Sequence, residues 1–264
     1  NGDLRAAFSL TEPQSGSDVA GIKTRATRVD GGYKLNGGKI WCTNSAVSDF
    51  VVVAAKTGDS EERGNINFFI VEKGMKGFSV GRKEDKLGAR GVPSSAIFFE
   101  EVLIPEENRL GPEGEGFKIV MEALNKARPV IAARGVGLAQ GAIDHAQAFI
   151  SERRAFGQAV KDFQGVRWIL ADMQIQTEAA RGLVYKVASS VDAGLEGNDL
   201  AIQAAIAKCH ATDTAMQVAT DAVQLFGASG ISNEYPINRY FRDAKVLQVV
   251  EGTNQIQRNI ISRI

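Results

Sequence analysis

The hydrophobic pattern changes period once, near Gly111-Pro112-Glu113-Gly114, and this change constrains the fold of the 264-residue chain more than any other feature. Over residues 4–109 the apolar residues come in short runs. Phe50-Val51-Val52-Val53-Ala54-Ala55 and Asn67-Phe68-Phe69-Ile70-Val71 have the apolar, β-branched make-up of buried strands. Asp30-Gly31-Gly32 and Asn36-Gly37-Gly38 are turn signals, because glycine and asparagine tolerate positive φ. They flank Tyr33-Lys34-Leu35, so residues 24–41 predict successive antiparallel strands, and 95–105 predicts another. Beyond Gly116 the period is helical. Val166, Ile169, Leu170, Met173, Ala180, Leu183, Val184 and Val187 recur at steps of three and four. A second, alanine-rich run over 200–226 carries Ile202, Ile206, Met216, Val223 and Leu225. Shorter helices fit 236–249 and 254–264. Pro129 predicts a kink in the long segment 115–152, because it removes one backbone donor. The expected fold is α+β: a barrel-like antiparallel β-domain over 1–112, then an up-and-down helical bundle over 113–264.

Composition excludes several functions. Lys+Arg and Asp+Glu number 31 each, so the formal net charge is +0. A nucleic-acid binder would need a cationic excess to displace counterions. No apolar run approaches the ~20 residues that span a bilayer. Two cysteines (Cys42, Cys209) and two histidines (His145, His210) match no metal-ligand spacing, so no metal is expected. Nothing at the start reads as a targeting segment, which fits a cytoplasmic protein in a bacterium or a mitochondrial-matrix protein in a eukaryote.

Four stretches carry residues suited to chemistry, each with a plainer structural alternative. Thr11-Glu12-Pro13-Gln14-Ser15-Gly16-Ser17-Asp18 is a capped turn, or a loop offering amides and hydroxyls to a polar cofactor. No GxGxxG follows a strand, which argues against a Rossmann site. In Trp41-Cys42-Thr43-Asn44 the indole fills the core or packs on a flat ring, with Thr43 bonding a heteroatom. Cys42 reads as packing. Ser151-Glu152-Arg153-Arg154-Ala155-Phe156-Gly157 is a solvated loop, or a place where an arginine holds a diphosphate and Phe156 an adenine. In Val250-Glu251-Gly252-Thr253-Asn254-Gln255, Thr253 is a good N-cap, and the amides behind it attract anions. Glu251 is a surface glutamate, or a base whose pKa is raised by desolvation beside Val249 and Val250. His145 and His210 lie in helical runs without a serine–acid setting.

These stretches, with Gln224-Leu225-Phe226-Gly227, Arg242-Asp243-Ala244-Lys245 and Ile256-Gln257 continuing the last one, make the sequence resemble the acyl-CoA dehydrogenase family over essentially its whole length. It is similar in style to the medium- and short-chain members. The resemblance implies noncovalent FAD between the β-domain and the helical domain. Phe8, Leu10, Thr11, Gly16 and Ser17 would lie along the flavin, with Ser17 also touching CoA. Trp41 would cover the isoalloxazine, and Thr43 would hydrogen-bond near N5. Arg153, Phe156, Gln164, Gln224, Leu225 and Gly227 match positions that hold the adenosine diphosphate end across a subunit interface, and Thr253 and Gln255 match diphosphate contacts. That sharing implies a homo-oligomer, usually a tetramer.

The resemblance also implies that Glu251 takes the α-proton of an acyl-CoA while a β-hydride passes to flavin N5, giving a trans-2-enoyl-CoA. Electrons then pass to an electron-transfer flavoprotein. The carbonyl oxygen would accept hydrogen bonds from the Glu251 N–H and a ribityl hydroxyl. Some members carry the base on the earlier long helix. Here that tract is Asn125-Lys126-Ala127-Arg128, without a carboxylate, which favours Glu251. Asn125, Arg128, Val250 and Gly252 match substrate positions. Asn125 replaces a common aspartate, and Val250 a common aromatic, which would widen the acyl pocket. Two alternatives remain open: an acyl-CoA oxidase using O₂, and a catalytically silent scaffold. The family begins with a further helical domain, whereas this chain starts almost at the β-domain. It is therefore expected to be a fragment, the ordered part of a cleaved protein, or a degenerate member. With Asn1 as the true terminus, weaker FAD retention and poor turnover would follow from uncovered apolar surface.

Overall fold

The computed structural model describes residues 2–58 and 65–263. The chain divides into two compact units, residues 1–86 with 90–121 and residues 87–89 with 122–264. Among the described residues no helix is long and apolar enough to cross a membrane.

The first unit is built on strands β1 (Ala6–Ser9), β2 (Arg25–Val29), β3 (Gly32–Thr43), β4 (Phe50–Lys56), β5 (Ile66–Glu72), β6 (Phe78–Lys83), β7 (Ser94–Pro105) and β8 (Arg109–Leu110). They form one sheet in the order β6-β7-β3-β2-β4-β5-β8, with β1 parallel to β4. The β2–β3, β3–β7, β4–β5, β5–β8 and β6–β7 pairs are antiparallel. Alternation decides the buried face. Tyr33 and Leu35 from β3, Val51 and Val53 from β4, Phe69 and Val71 from β5, and Ile97, Phe99, Val102 and Ile104 from β7 make one core. Each such side chain contributes about 1.5–3 kcal/mol on burial.

Two expectations change. The sheet stays open instead of closing into a barrel: its path ends at β6 and at the two-residue β8, and these edges do not pair among the described residues. Closure needs edge strands long enough to hydrogen-bond each other. Asn36-Gly37-Gly38 is not a turn. It lies inside the twelve-residue β3, where the register against β7 shifts between Leu35 and Gly37. Gly37 has φ +138°, and a Cβ there would sit 2.8 Å from the Thr24 Cα, so the glycines serve a bulge where two backbones approach closely. Gly37→Ala should therefore lower stability by about 2–3 kcal/mol in urea unfolding, since the strained φ and the clash add.

The second unit holds most of α1 (Gly116–Glu152), then β9 (Arg154–Ala155), β10 (Gln158–Ala159), α2 (Gln164–Asp192), α3 (Gly197–Phe226), α4 (Ile237–Val249) and α5 (Asn254–Ile261). Pro129 lies inside α1, which continues through it as one helix. The short 193–196 connection turns the chain from α2 back along α3. Ala204, Ala207, Ala211, Ala215, Ala219 and Ala222 are buried on α3, and their small size lets neighbouring helices pack close to it. The Arg242-Asp243 motif is structural. Arg242 donates to the Leu87 carbonyl at 3.1 Å, and the Ala89 amide donates to Asp243 at 2.6 Å, tying residues 87–89 to α4.

Candidate active-site residues

In the first unit, the chain leaving β1 runs alongside β3. The Ile40 amide donates to the Thr11 carbonyl at 2.9 Å, Lys39 Nζ to the Leu10 carbonyl at 3.1 Å, and Cys42 Sγ to the Phe8 carbonyl at 3.6 Å. Phe8, Leu10, Thr11, Trp41 and Thr43 are thereby brought together. Strand alternation buries Ala7, Ser9 and Cys42 and leaves Phe8, Trp41 and Thr43 on the outer side. Trp41 is 55% exposed and its φ is +59°, a left-handed conformation that a bulky residue adopts at a cost of about 1–3 kcal/mol. Burial pushes the Cys42 thiol up, and its hydrogen bonds only partly offset this, in keeping with a packing role.

The Thr11–Ser17 loop is anchored from beneath by an ion pair that sequence reading missed. Glu12 Oε1 and Lys39 Nζ are 2.7 Å apart and both side chains are buried. The Lys23 amide (2.6 Å), the Thr24 amide (3.0 Å) and Gln14 Nε2 (2.6 Å) also donate to the Glu12 carboxylate. Burial alone would raise the Glu12 pKa, but the Lys39 charge and the hydrogen bonds from Lys39, Thr24 and Lys23 together hold it at about 2. Burial draws Lys39 down to about 8, against the pull of Glu12, so the pair remains ionised at neutral pH. Glu12 and Ser15 exchange backbone hydrogen bonds, which leaves Gly16 and Ser17 exposed beyond them.

In the second unit, α4 ends at Val249 and Val250 is its C-cap. Glu251 (φ +57°) and Gly252 (φ +86°) are both left-handed, and Thr253 caps α5 by accepting from the Ile256 amide at 3.3 Å. The turn is held through its carbonyls. Gln257 Nε2 donates to the Glu251 and Gly252 carbonyls at 3.2 and 2.8 Å, and Lys208 Nζ donates to the Gly252 carbonyl at 2.9 Å. The Glu251 amide has no acceptor among the described residues. Burial raises the Glu251 pKa, while the positive charges of Arg128, Lys208 and Arg134 act in the opposite sense. Arg128 is 4% exposed. It donates to Asn125 Oδ1 at 2.7 Å, and its Nε finds no partner among the described residues.

A third group surrounds the β9–β10 hairpin. Phe156 (φ +51°) and Gly157 (φ +85°) form its two-residue turn, the left-handed pair that matches the twist of flanking strands. Phe156 is 96% exposed and meets the Phe163 ring edge-on at 6.2 Å, next to Gln164 at the start of α2. Arg153 lies over the Phe149 ring, which stacks on Phe226 at 4.1 Å, linking the hairpin to the Leu225–Gly227 end of α3. Gln224 is exposed there, and its carbonyl accepts from the Gly227 amide.

Both units match known families. The acyl-CoA dehydrogenase middle domain matches residues 7–102, and the acyl-CoA dehydrogenase C-terminal domain matches residues 114–264. The chain belongs to the acyl-CoA dehydrogenase family. A short-chain-specific acyl-CoA dehydrogenase of Clostridium acetobutylicum is 43% identical, over 99% of this chain and 68% of the relative. Butyryl-CoA dehydrogenase from Megasphaera elsdenii is similar in structure, with a TM-score of 0.95, 44% identity and coverage of 98% of this chain and 67% of that one. A chain in a structure of the electron transferring flavoprotein of Acidaminococcus fermentans gives a TM-score of 0.96 at 44% identity, covering 99% and 68%. The chain thus spans about two thirds of the length of the curated acyl-CoA dehydrogenases it matches. The acyl-CoA dehydrogenase family is FAD-dependent.

Lys208, Asn254 and Gln257 escaped sequence reading as the frame of the Glu251 turn. The available signal was a lone lysine inside the alanine-rich α3 run, flanked by Ala207 and Cys209.

Proposed function

We propose that this chain forms the base- and flavin-bearing part of an acyl-CoA dehydrogenase, which takes a proton from Cα and a hydride from Cβ of an acyl-CoA and yields the trans-2-enoyl-CoA. The observation that carries this reading is the Glu251 turn: a half-buried carboxylate whose basicity is raised by burial, beside a backbone amide left free to donate.

The residues present fit FAD. Trp41, Phe8 and Phe156 expose flat apolar surface from fixed backbone positions, and Trp41 holds a left-handed φ that costs about 1–3 kcal/mol. Thr11 and Thr43 would hydrogen-bond the ring, and Gly16 and Ser17 would lie along it. Arg153, Gln164, Gln224 and the Thr253–Gln255 amides would hold the diphosphate and adenosine. When bound, FAD supplies the hydride acceptor.

The chain's own part is proton chemistry. Carboxylate Glu251 removes the α-proton, and burial makes it a stronger base than a solvated glutamate. As negative charge grows on the thioester oxygen, the Glu251 amide stabilises it. Gly252 lets the backbone approach the substrate, and Val250 leaves room in the acyl pocket. Asn125 steadies Arg128, whose positive charge faces Glu251. The short-chain and butyryl-CoA relatives support a short acyl chain as substrate, and the exposed hairpin supports a homo-oligomer in which another copy covers Phe156. An electron-transfer flavoprotein is the proposed acceptor.

Anaerobic titration of the flavin-loaded full-length protein with butyryl-, hexanoyl-, isobutyryl- and isovaleryl-CoA tests the reading. Loss of the flavin's visible colour is expected with butyryl-CoA. No bleaching with any thioester would refute it, and stoichiometric peroxide in air without an electron carrier would assign an oxidase instead.

A further inference from the structure

Lys208 is fully buried in the middle of α3, and among the described residues none of its hydrogen bonds goes to a carboxylate. An ammonium group in such a place is costly unless its contacts are worth holding. Both of its acceptors belong to the segment that carries Glu251: the Gly252 carbonyl at 2.9 Å and Asn254 Oδ1 at 2.8 Å. Asn254 is buried in turn, and donates to Thr212 Oγ1 at 2.9 Å and to Asp213 Oδ1 at 2.7 Å. Asp213 accepts from Gln248 of α4 at 2.6 Å and from Arg258 of α5 at 2.8 Å. The Glu251 turn is thus tied to three helices through one lysine and one asparagine.

We propose that Lys208 is a positioning residue for Glu251: its ammonium group fixes the left-handed turn through the Gly252 carbonyl, and its charge favours the ionised Glu251 carboxylate. This deepens the proposed function and rests on Glu251 being the base. The charges facing Glu251 are Arg128 and Arg134 from α1 and Lys208 from α3. Those facing Lys208 are Arg128, Glu251, and Cys209 and Asp213 of its own helix, with Arg258 of α5 engaged by Asp213. Burial draws the Lys208 pKa down to about 8, so its charge acts on Glu251 below that pH and fades above it.

The test uses the flavin-loaded full-length protein and a 3-thia-acyl-CoA, whose β-position is sulfur and cannot yield a hydride. The pH midpoint of α-proton exchange into D₂O reads the base, and amide hydrogen exchange of residues 250–257 reads the turn. Lys208→Gln keeps a donor and removes the charge. It should raise the midpoint by about one pH unit, a tenfold loss of exchange on the acid side, with the turn still protected. Lys208→Met should raise the midpoint and also cut protection of the turn about tenfold. An unmoved midpoint in Lys208→Gln, or a fully protected turn in Lys208→Met, overturns the proposal. Where Lys208→Met does not fold, the Lys208→Gln midpoint decides alone. Exchange that persists in Glu251→Gln would instead show that Glu251 is not the base.

Discussion

Glu251→Gln is expected to slow α-proton abstraction by about 10²–10⁴-fold while the thioester still binds. The substitution is nearly isosteric and preserves the backbone, so the Glu251 amide, the Gly252 turn and the hydrogen bonds from Gln257 and Lys208 remain. What disappears is the only group of the turn able to accept a proton. Rapid-mixing measurement of flavin reduction should show the loss in the rate constant rather than in the thioester concentration at half-saturation, the pattern of an interaction made in the transition state. A residual rate within tenfold of wild type would remove Glu251 from the mechanism. The pH dependence has a definite sign. Because burial raises the Glu251 pKa, the reactive carboxylate is lost as pH falls through a value above the ordinary glutamate range, and abstraction should decline on the acid side from that higher pH.

Glu12→Gln should be the most damaging change in the first unit, lowering stability to urea by about 3–5 kcal/mol, because it leaves the Lys39 ammonium buried without its counter-charge. Lys39→Met should cost less, since amides from residues 23 and 24 and Gln14 Nε2 still serve the carboxylate. The double variant should recover part of the Glu12→Gln loss. A double variant no more stable than Glu12→Gln would show that the buried lysine charge is not the source of the cost. The acid limb follows from Glu12, whose pKa is depressed in the folded state. Its stabilisation is present above about 4.5 and is lost as pH falls through about 2. Loosening this pair should also loosen the Thr11–Ser17 loop above it, since Lys39 holds the Leu10 carbonyl as well.

Periodicity made most of the architecture legible. The α2 and α3 runs, the β2–β3 pair and the Thr253 cap follow from residue spacing and local chemistry alone. Openness of the sheet was not legible, because closure depends on which distant edges meet, and neither β6 nor β8 advertises its partner. Asn36-Gly37-Gly38 misled for a related reason. Glycine signals a special φ without saying whether the chain turns or bulges, and the neighbour that decided it, Thr24, lies just before another strand. Among the candidate residues of the two units, Glu251, Trp41 and Thr11 belong to contiguous motifs and could be singled out from the sequence. Lys208 and Lys39 could not, because a buried charge looks like a surface one until its long-range acceptors are known. The strained φ values at Trp41, Phe156 and Glu251 were equally hidden, as all three are ordinary residues in sequence.

In the proposed mechanism residue 251 offers both its side chain and its main-chain N–H, so one short stretch of polypeptide supplies two chemically opposite instruments. A shift that mis-aims one must mis-aim the other, and selection on either therefore acts on a single hinge-like object. In the proposed mechanism the acyl-facing wall, to which Val250 is assigned, can drift through different sizes to suit new thioesters while this double instrument stays as it is. Retuning chain-length preference in this scaffold should accordingly begin one residue upstream of the turn and leave its two left-handed members untouched.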